Sequence, residues 1–211
     1  MSPFRIHATG LTQRFARGGA MVHVLDGVDL TLAAGELVAI AGPSLSGKTT
    51  LVELLAGWRQ PDQGTVAWDG AGANGGPPPW SYLTVVSQAL ALLDELTVAE
   101  NILLASRLVR SEPAATARLG ELLAALGLER LRDRGAAEIS IGERQRTMVA
   151  RALVDQPQIV LADEPVAHQD QRHAEAVLRL LRDAVDAGAS GVIATRQPDV
   201  AAVADRSISL G

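Results

Sequence analysis

A glycine-rich loop between an apolar segment and a helical pattern constrains the fold of this chain more than any other feature. Residues Leu37–Ile40 form a short uninterrupted apolar run, which is typical of a buried parallel strand. The run enters GPSLSGKTT, Gly42–Thr50, and Leu51, Leu54 and Leu55 then follow at helical spacing. A strand, a tight loop and a helix in direct succession predict one unit of a parallel α/β sheet.

The loop carries Gly42-x-x-x-x-Gly47-Lys48-Thr49, the Walker A pattern for phosphate binding. Its glycines let backbone N–H groups turn toward phosphate oxygens at the positive end of the helix. Lys48 is the only lysine among 19 basic residues. We expect its compact charge to reach the β- and γ-phosphates, because a planar guanidinium is too broad for this position. The Thr49 hydroxyl is expected to bind Mg²⁺. The predicted nucleotide-binding residues of the loop are Gly42, Ser44, Ser46, Gly47, Lys48, Thr49 and Thr50.

Two acidic residues follow another apolar strand pattern, in IVLADEP. Ligands of α/β sheets bind at the carboxyl ends of strands, where Asp163 and Glu164 are expected to lie. Asp163 is predicted to hold Mg²⁺, directly or through water. Glu164 is predicted to accept a proton from an attacking water. The alternative is a solvated turn after a strand, which the phosphate loop makes less favourable.

The composition excludes several classes of protein. With 211 residues and 47% apolar residues, the chain can build one domain with a sizeable core. A net charge of −5 argues against a nucleic-acid partner and against a basic membrane-surface module. The absence of cysteine excludes disulfides and thiol chemistry and fits a reducing cytoplasm. The first residues lack a signal-peptide layout, and no apolar run approaches the about 20 residues of a membrane helix. Any membrane role is therefore expected to come through a partner.

The order of patterns along the chain predicts an α/β nucleotide-binding core with additions. Two alternating strands open the chain, a further strand, TVAWDG, leads into the Gly/Pro-rich residues 70–79, and residues 98–128 are helical in pattern. Alternation of strand and helix returns after Gly142. We predict a parallel sheet, an N-terminal antiparallel β region and a helical insert. The predicted division is a core of residues 1–88 and 140–211 and a helical subdomain of residues 89–139.

The segment Ser140-Ile141-Gly142-Glu143 has the S-x-x-E pattern of a capping box that opens a helix. A helix N-terminus with free N–H groups is also an anion site. For an isolated pattern, the simpler interpretation is that Ser140 caps only its own helix. Here QRTMVARALVDQPQIVLADEP follows, and that spacing leads to a family.

With ISIGERQRTMVARAL and the two motifs above, the chain resembles the ATP-binding subunit of ABC transporters over essentially its whole length. VHVLDGVDL, LDELTVAENI and the single-domain length are most similar to the lipoprotein-release, macrolide-exporter and cell-division branch. The resemblance implies two such subunits, as homodimer or heterodimer, that enclose two ATP molecules and drive an integral membrane permease. It also implies a cytoplasmic protein on the inner face of the cell membrane.

The resemblance implies roles for further residues. Phe15 matches an aromatic residue that stacks on adenine, although a strand aromatic that packs on the sheet is the alternative. Gln88 matches a glutamine that senses Mg²⁺ and contacts the permease. Ser140, Gly142 and Glu143 match the signature that closes over the γ-phosphate in the opposite subunit. Asp170 matches an aspartate of the dimer interface.

Several positions depart from the family pattern, among them the D-loop, Ala167-His168-Gln169-Asp170, which retains only its final aspartate clearly. Leu45 and Ile141 replace glycines of the phosphate loop and of the signature, where glycine permits close approach or an unusual φ. Arg196, in IATRQPD, replaces a histidine that contacts the γ-phosphate. Arginine can neutralise charge there, but it is donor-only and cannot relay a proton.

The remaining histidines show no metal-binding spacing. His23, His168 and His173 are expected to be surface or interface residues. None of them is expected to lie near Arg196 and replace the missing histidine.

The sequence therefore predicts Mg²⁺-dependent ATP hydrolysis with Glu164 as base and Lys48, Gln88 and Arg196 as further catalytic residues. The Gln88 region and the helical insert are expected to contact the permease. The main alternative is a subunit that binds ATP with little hydrolysis, as dimer glue or as the weak half of a heterodimer. A soluble ABC protein that acts on nucleic acid or ribosomes disagrees with the single domain and the negative charge. A small-molecule kinase leaves the insert followed by ISIGERQR unexplained.

Overall fold

The computed structural model of the chain describes residues 4–70, 75–109 and 112–211. Its strands form two sheets. The strands are β1 (Phe4–Arg17), β2 (Ala20–Ala33), β3 (Leu37–Ala41), β4 (Gln63–Trp68), β5 (Leu83–Val86), β6 (Ile159–Asp163), β7 (Ser190–Thr195) and β8 (Arg206–Ser209). An antiparallel sheet has the order β2-β1-β4, and a parallel sheet has the order β5-β6-β7-β3-β8. The predicted fold class is therefore confirmed.

Six helices connect these strands within the described residues. They are α1 (Lys48–Leu55), α2 (Val98–Val109), α3 (Glu112–Ala125), α4 (Ile141–Leu153), α5 (Gln171–Asp186) and α6 (Pro198–Ala201). None of the helices in the described part of the chain has the length and hydropathy that crossing a membrane requires. Part of the predicted Gly/Pro-rich loop, residues 71–74, lies outside the described residues.

Alternation along the parallel strands builds a three-layered core. In β6, Ile159 and Leu161 point into one buried cluster together with α1 and the antiparallel sheet. Val160 and Ala162 belong to the cluster on the opposite face, which also contains residues of α2, α3, α4 and α5. A strand that is buried on both faces reads as a continuous apolar run. The helical insert packs on α4 and shares its core. The predicted bounds of the helical subdomain, residues 89–139, stay a prediction.

The register of the parallel sheet aligns the ends of its central strands. Ala41 at the end of β3 pairs with Thr195 at the end of β7, and Asp163 at the end of β6 pairs with Ala194. The phosphate loop begins at Gly42, directly after β3, and Arg196 directly follows β7. Asp163 is the last residue of β6, and Glu164 follows it. Three segments that are far apart in sequence consequently meet at one edge of the sheet.

Candidate functional site

A cavity with a volume of ≈ 560 Å³ opens at this edge of the sheet. It is lined by residues from the antiparallel sheet, the phosphate loop, both acidic positions and the end of β7. The predicted site residues that it brings together are Phe15, Ser44, Gly47, Lys48, Thr49, Thr50, Gln88, Asp163, Glu164 and Arg196. Five residues that the sequence analysis did not propose as site residues also line it, namely Val22, Val24, Leu45, Ala167 and His168.

The phosphate loop takes its shape from two left-handed residues. Gly47 has φ 94°, and a Cβ there would lie 2.7 Å from the carbonyl oxygen of Val24, so only glycine fits against β2. Leu45 has φ 69° and a side chain that is 91% exposed. The expectation of an unusual φ is thus met at Leu45. Ile141, by contrast, begins a regular helix.

Lys48 lies almost buried beneath the loop, where its Nζ has two backbone acceptors. It donates to the carbonyl oxygens of Gly42 at 2.8 Å and Pro43 at 2.6 Å. Near them, the Ser46 hydroxyl is buried and has no hydrogen-bond partner. Buried polar atoms are normally paired, so the unpaired Ser46 hydroxyl is available to a ligand. Together with Lys48 it forms a set of donors that suits phosphate oxygens.

Thr49 and Asp163 form a pair at the floor of the cavity. The Thr49 hydroxyl donates to Asp163 Oδ2 at 2.6 Å, while Asp163 Oδ1 is buried without a partner. Burial raises the pKa of Asp163, and the Thr49 hydrogen bond and the charge of Lys48 oppose that rise. A hydroxyl beside a carboxylate with an unused oxygen fits Mg²⁺, which takes few protein ligands and completes its shell with phosphate and water. Among the described residues no cluster of three or more His, Asp or Glu residues offers an all-protein metal site.

Glu164 is 8% exposed and follows β6 with an unusual φ of 48°. Its backbone is held by three hydrogen bonds: its N–H donates to the Ala194 carbonyl at 2.9 Å, and its carbonyl accepts from Gln145 Nε2 at 2.8 Å and from the Ala167 N–H at 3.0 Å. Its Oε2 is buried and unpartnered. Burial raises the pKa of Glu164, against the lowering effect of the charges of Lys48 and Arg196. A fixed carboxylate with a raised pKa and a free oxygen suits a general base.

Arg196 and His168 share the cavity with Glu164. Arg196 is exposed at the end of β7, and His168, on the segment after Glu164, has a left-handed φ of 60°. The expectation that no histidine replaces the missing group at Arg196 stays a prediction, although His168 lines the same cavity.

The segment after Glu164 is anchored on α4. Gln169 Nε2 donates to the Gly142 carbonyl at 2.9 Å, and its Oε1 accepts from Arg146 at 2.7 Å. Gly142 passes so close to this segment that a Cβ there would lie 2.8 Å from the carbonyl oxygen of His168. The glycine of the signature is consequently needed within its own chain to let the cavity wall pack on α4.

We expect Gly142→Ala to lower the free energy of unfolding by about 1–3 kcal/mol, because the added methyl group meets rigid backbone. Gly120→Ala, on α3, is the matched control: a Cβ there meets nothing within 4 Å. Since alanine favours a helix, that variant should gain about 0.5–1 kcal/mol. Urea unfolding of the two variants measures the difference. Equal shifts in the two variants would contradict the packing argument.

The predicted capping box at the start of α4 is confirmed. The Ser140 N–H donates to Glu143 Oε2 at 2.7 Å, and the Glu143 N–H donates to Ser140 Oγ at 3.3 Å. Hydrogen bonding to Ser140 lowers the pKa of Glu143. Within one chain, Ser140, Gly142 and Glu143 do not line the cavity that contains Lys48. Asp170 accepts from the His173 N–H at 2.9 Å and caps α5.

A second cavity, of ≈ 500 Å³, lies on the other side of Arg196. Gly42 and Pro43 form part of its wall, but Arg196 is its only charged lining residue. It has neither carboxylate nor lysine, so the groups that suit phosphate and metal are those of the cavity at Lys48.

Comparisons with known proteins give one consistent family. The sequence matches the family model described as ABC transporter over residues 25–167. It is 36% identical, over 208 residues, to lipoprotein-releasing system ATP-binding protein LolD 1 of Rhodospirillum rubrum, and the match covers 95% of this chain and 92% of that protein. It is 37% identical to macrolide export ATP-binding/permease protein MacB of Marinobacter nauticus, with 97% of this chain and 33% of that protein covered. The chain spans 63% of an uncharacterized ABC transporter ATP-binding protein of Mycobacterium tuberculosis, at 35% identity.

A solved structure resembles the whole fold. It is the dimeric, post-hydrolysis state of an ATP-binding cassette bound to ADP and Pi, with a TM-score of 0.87 at 28% identity. The likeness covers 97% of this chain and 94% of that one.

Proposed function

Since this chain belongs to the ABC transporter family as an ATP-binding subunit, we propose that it hydrolyses Mg·ATP in a dimer and drives an integral membrane permease. The observation that supports the proposal best is the Thr49–Asp163 hydrogen bond of 2.6 Å beside Lys48 and Glu164. A phosphate donor set, a magnesium pair and a buried base occupy one cavity. The proposed place of action is the cytoplasmic face of the membrane, through the permease.

The proposed chemistry is an in-line attack of water on the γ-phosphate. Lys48 and the backbone N–H groups of Ser44–Thr50 hold the phosphate oxygens. Thr49 and Asp163 would hold Mg²⁺, with Gln88 at the same cavity, and the ion would neutralise charge on the β- and γ-phosphates. Glu164 takes the proton from the attacking water, and Arg196 neutralises the charge that develops on the γ-phosphate.

Binding of the nucleobase is proposed at the antiparallel sheet. Phe15 and Val22, which are paired across β1 and β2, both line the cavity. An aromatic ring beside a branched aliphatic side chain offers a stacking platform. The start of α4, with its capped N-terminus, is the proposed contact to the nucleotide that a second subunit holds.

The test is steady-state ATP hydrolysis by the purified chain as a function of its concentration, with Lys48→Ala as control. We expect the rate per subunit to rise with concentration, because a dimer is the active form, and to vanish in the control. ATP binding without turnover at any concentration would reject hydrolysis and support the alternative, a subunit that holds ATP as dimer glue or as the weak half of a heterodimer. Absence of ATP binding would reject both.

That alternative rests on a specific observation. Arg196 occupies the cavity beside Glu164 where the family resemblance places a histidine, and it has no acceptor for a hydrogen bond. The rate that this chain reaches alone is therefore expected to be low, by about 10²-fold relative to a subunit with an intact site.

A further inference from the structure

An arginine stacks on the aromatic ring that borders the cavity. The guanidinium carbon of Arg59 lies 5.0 Å from the centroid of the Phe15 ring. This is within the range of about 6 Å in which a cation is attracted to a ring face. Arg59 Nε also donates to Glu53 Oε2 on α1 at 2.8 Å. The guanidinium thus connects the phosphate-loop helix to the tip of the antiparallel sheet.

The chain around Arg59 is fixed alongside β1. The Asp62 N–H donates to the Thr12 carbonyl at 3.0 Å, and Asp62 Oδ2 accepts from the Arg14 N–H at 2.7 Å. These bonds hold the segment that follows α1 next to the residues that precede Phe15. The position of Arg59 over the ring is therefore set by backbone contacts as well as by Glu53.

Arg59 does not line the cavity, although Phe15 does. Phe15 therefore contacts the arginine and also borders the cavity. A cation on one face of a ring draws π-electron density toward itself. That lowers the repulsion between the ring and the π-system of a second aromatic group. It also restricts the ring to one orientation before a ligand arrives, which lowers the entropic cost of binding.

We propose that Arg59 is a positioning residue for the nucleobase: together with Glu53 it holds the Phe15 ring so that the ring presents its cavity side to a purine. The inference rests on the proposed function, which assigns the cavity to ATP. It adds a determinant of base affinity that acts through Phe15 and contacts neither phosphate nor metal.

A solely structural role for Arg59 predicts that its removal affects the binding of the base and of the phosphates equally. The Arg59–Glu53 pair is partly exposed, with side-chain exposures of 38% and 31%, and such pairs contribute little to stability. Glu53 also acts on the phosphate side, because its charge adds to the rise in the pKa of Asp163 that burial chiefly causes. The experiment must therefore separate binding of the base from binding of the phosphates.

Calorimetric titration with two probes makes that separation: the non-hydrolysable ATP analogue AMP-PNP, and inorganic tripolyphosphate, which has no base. We expect Arg59→Ala to weaken AMP-PNP binding by about threefold to tenfold and to leave tripolyphosphate binding unchanged. Arg59→Lys keeps a cation, so its affinity for AMP-PNP should lie between those of the wild type and of Arg59→Ala. In a Phe15→Ala background, Arg59→Ala should have no further effect on AMP-PNP.

The matched control is Arg182→Ala, which removes an arginine that is paired with Asp186 and Asp205 on the far side of the protein. It should change neither affinity. An equal loss for both probes in Arg59→Ala, an unchanged AMP-PNP affinity, or a gain in AMP-PNP affinity would each overturn the inference. A wild-type chain that binds both probes equally well would overturn it too, and would leave phosphate binding intact. A wild-type chain that binds neither probe would reject the proposed function itself.

Discussion

Glu164→Gln is expected to lower ATP turnover by about 10²- to 10⁴-fold, the contribution of a positioned general base. Glutamine keeps the size of the side chain but cannot accept the proton from water. Another side chain cannot easily reach the place of this carboxylate, because the backbone of Glu164 is fixed by Ala194 and by Gln145. The affinity for Mg·ATP should stay within a fewfold of wild type, since Lys48, Thr49 and Asp163 are unchanged.

The measurement is single-turnover hydrolysis alongside nucleotide binding, at a protein concentration at which the wild-type chain is active. The matched control is Glu175→Gln on α5, which accepts a hydrogen bond from Gln171 on the surface. It should retain wild-type turnover. Turnover of Glu164→Gln within tenfold of wild type would show that the base lies elsewhere, and His168 would then be the first residue to replace.

Arg196→His is expected to raise turnover by up to about 10²-fold, which is the effect of restoring one positioned acid–base group. Arginine is always charged and only donates hydrogen bonds, whereas neutral histidine donates with one ring nitrogen and accepts with the other. At the end of β7, a histidine would stand between the γ-phosphate and Glu164. The gain should appear in kcat, because neither the phosphate loop nor the magnesium pair changes.

The presence of His168 in the same cavity gives this prediction a second arm. Turnover of Arg196→His should be compared in the wild-type and His168→Ala backgrounds, with Arg196→Lys as the control that keeps a donor-only cation. An increase in both backgrounds supports the argument for position 196. No change or a fall in turnover of Arg196→His would mean that arginine is competent there. A loss of turnover in His168→Ala alone would assign the missing acid–base group to His168.

The phosphate loop and the acidic residues Asp163 and Glu164 could be located from local sequence because each lies at or directly after the end of a strand. A strand end, a glycine pattern and an adjacent polar residue are all encoded within about ten residues, the scale at which periodicity and turn chemistry operate. The capping box at Ser140 and Glu143 was predictable for the same reason, since its two hydrogen bonds span three residues.

The neighbourhood of Arg196 was not predictable in this way. His168 reaches the cavity only because the turn after Glu164 bends back through two left-handed residues and packs on α4 beside Gly142. The backbone at Glu164 and His168 has positive φ without glycine, and no local rule predicts such a turn for these residue types. The contact of Arg59 with Phe15 was not predictable either, because it joins residues that are 44 positions apart in the sequence.

By itself, the sequence identified the groups from which the proposed chemistry is built: a phosphate loop with a single lysine, a carboxylate proposed to hold the metal, a second carboxylate proposed to take the proton, and an arginine where the family resemblance implies a histidine. It did so because those groups depend on their immediate neighbours in the chain. Only the tertiary structure decided which groups act together, since the register of β3, β6 and β7 sets which strand ends meet. Packing on α4 and alongside β1, which no local pattern specifies, then placed His168 in the cavity and Arg59 over Phe15.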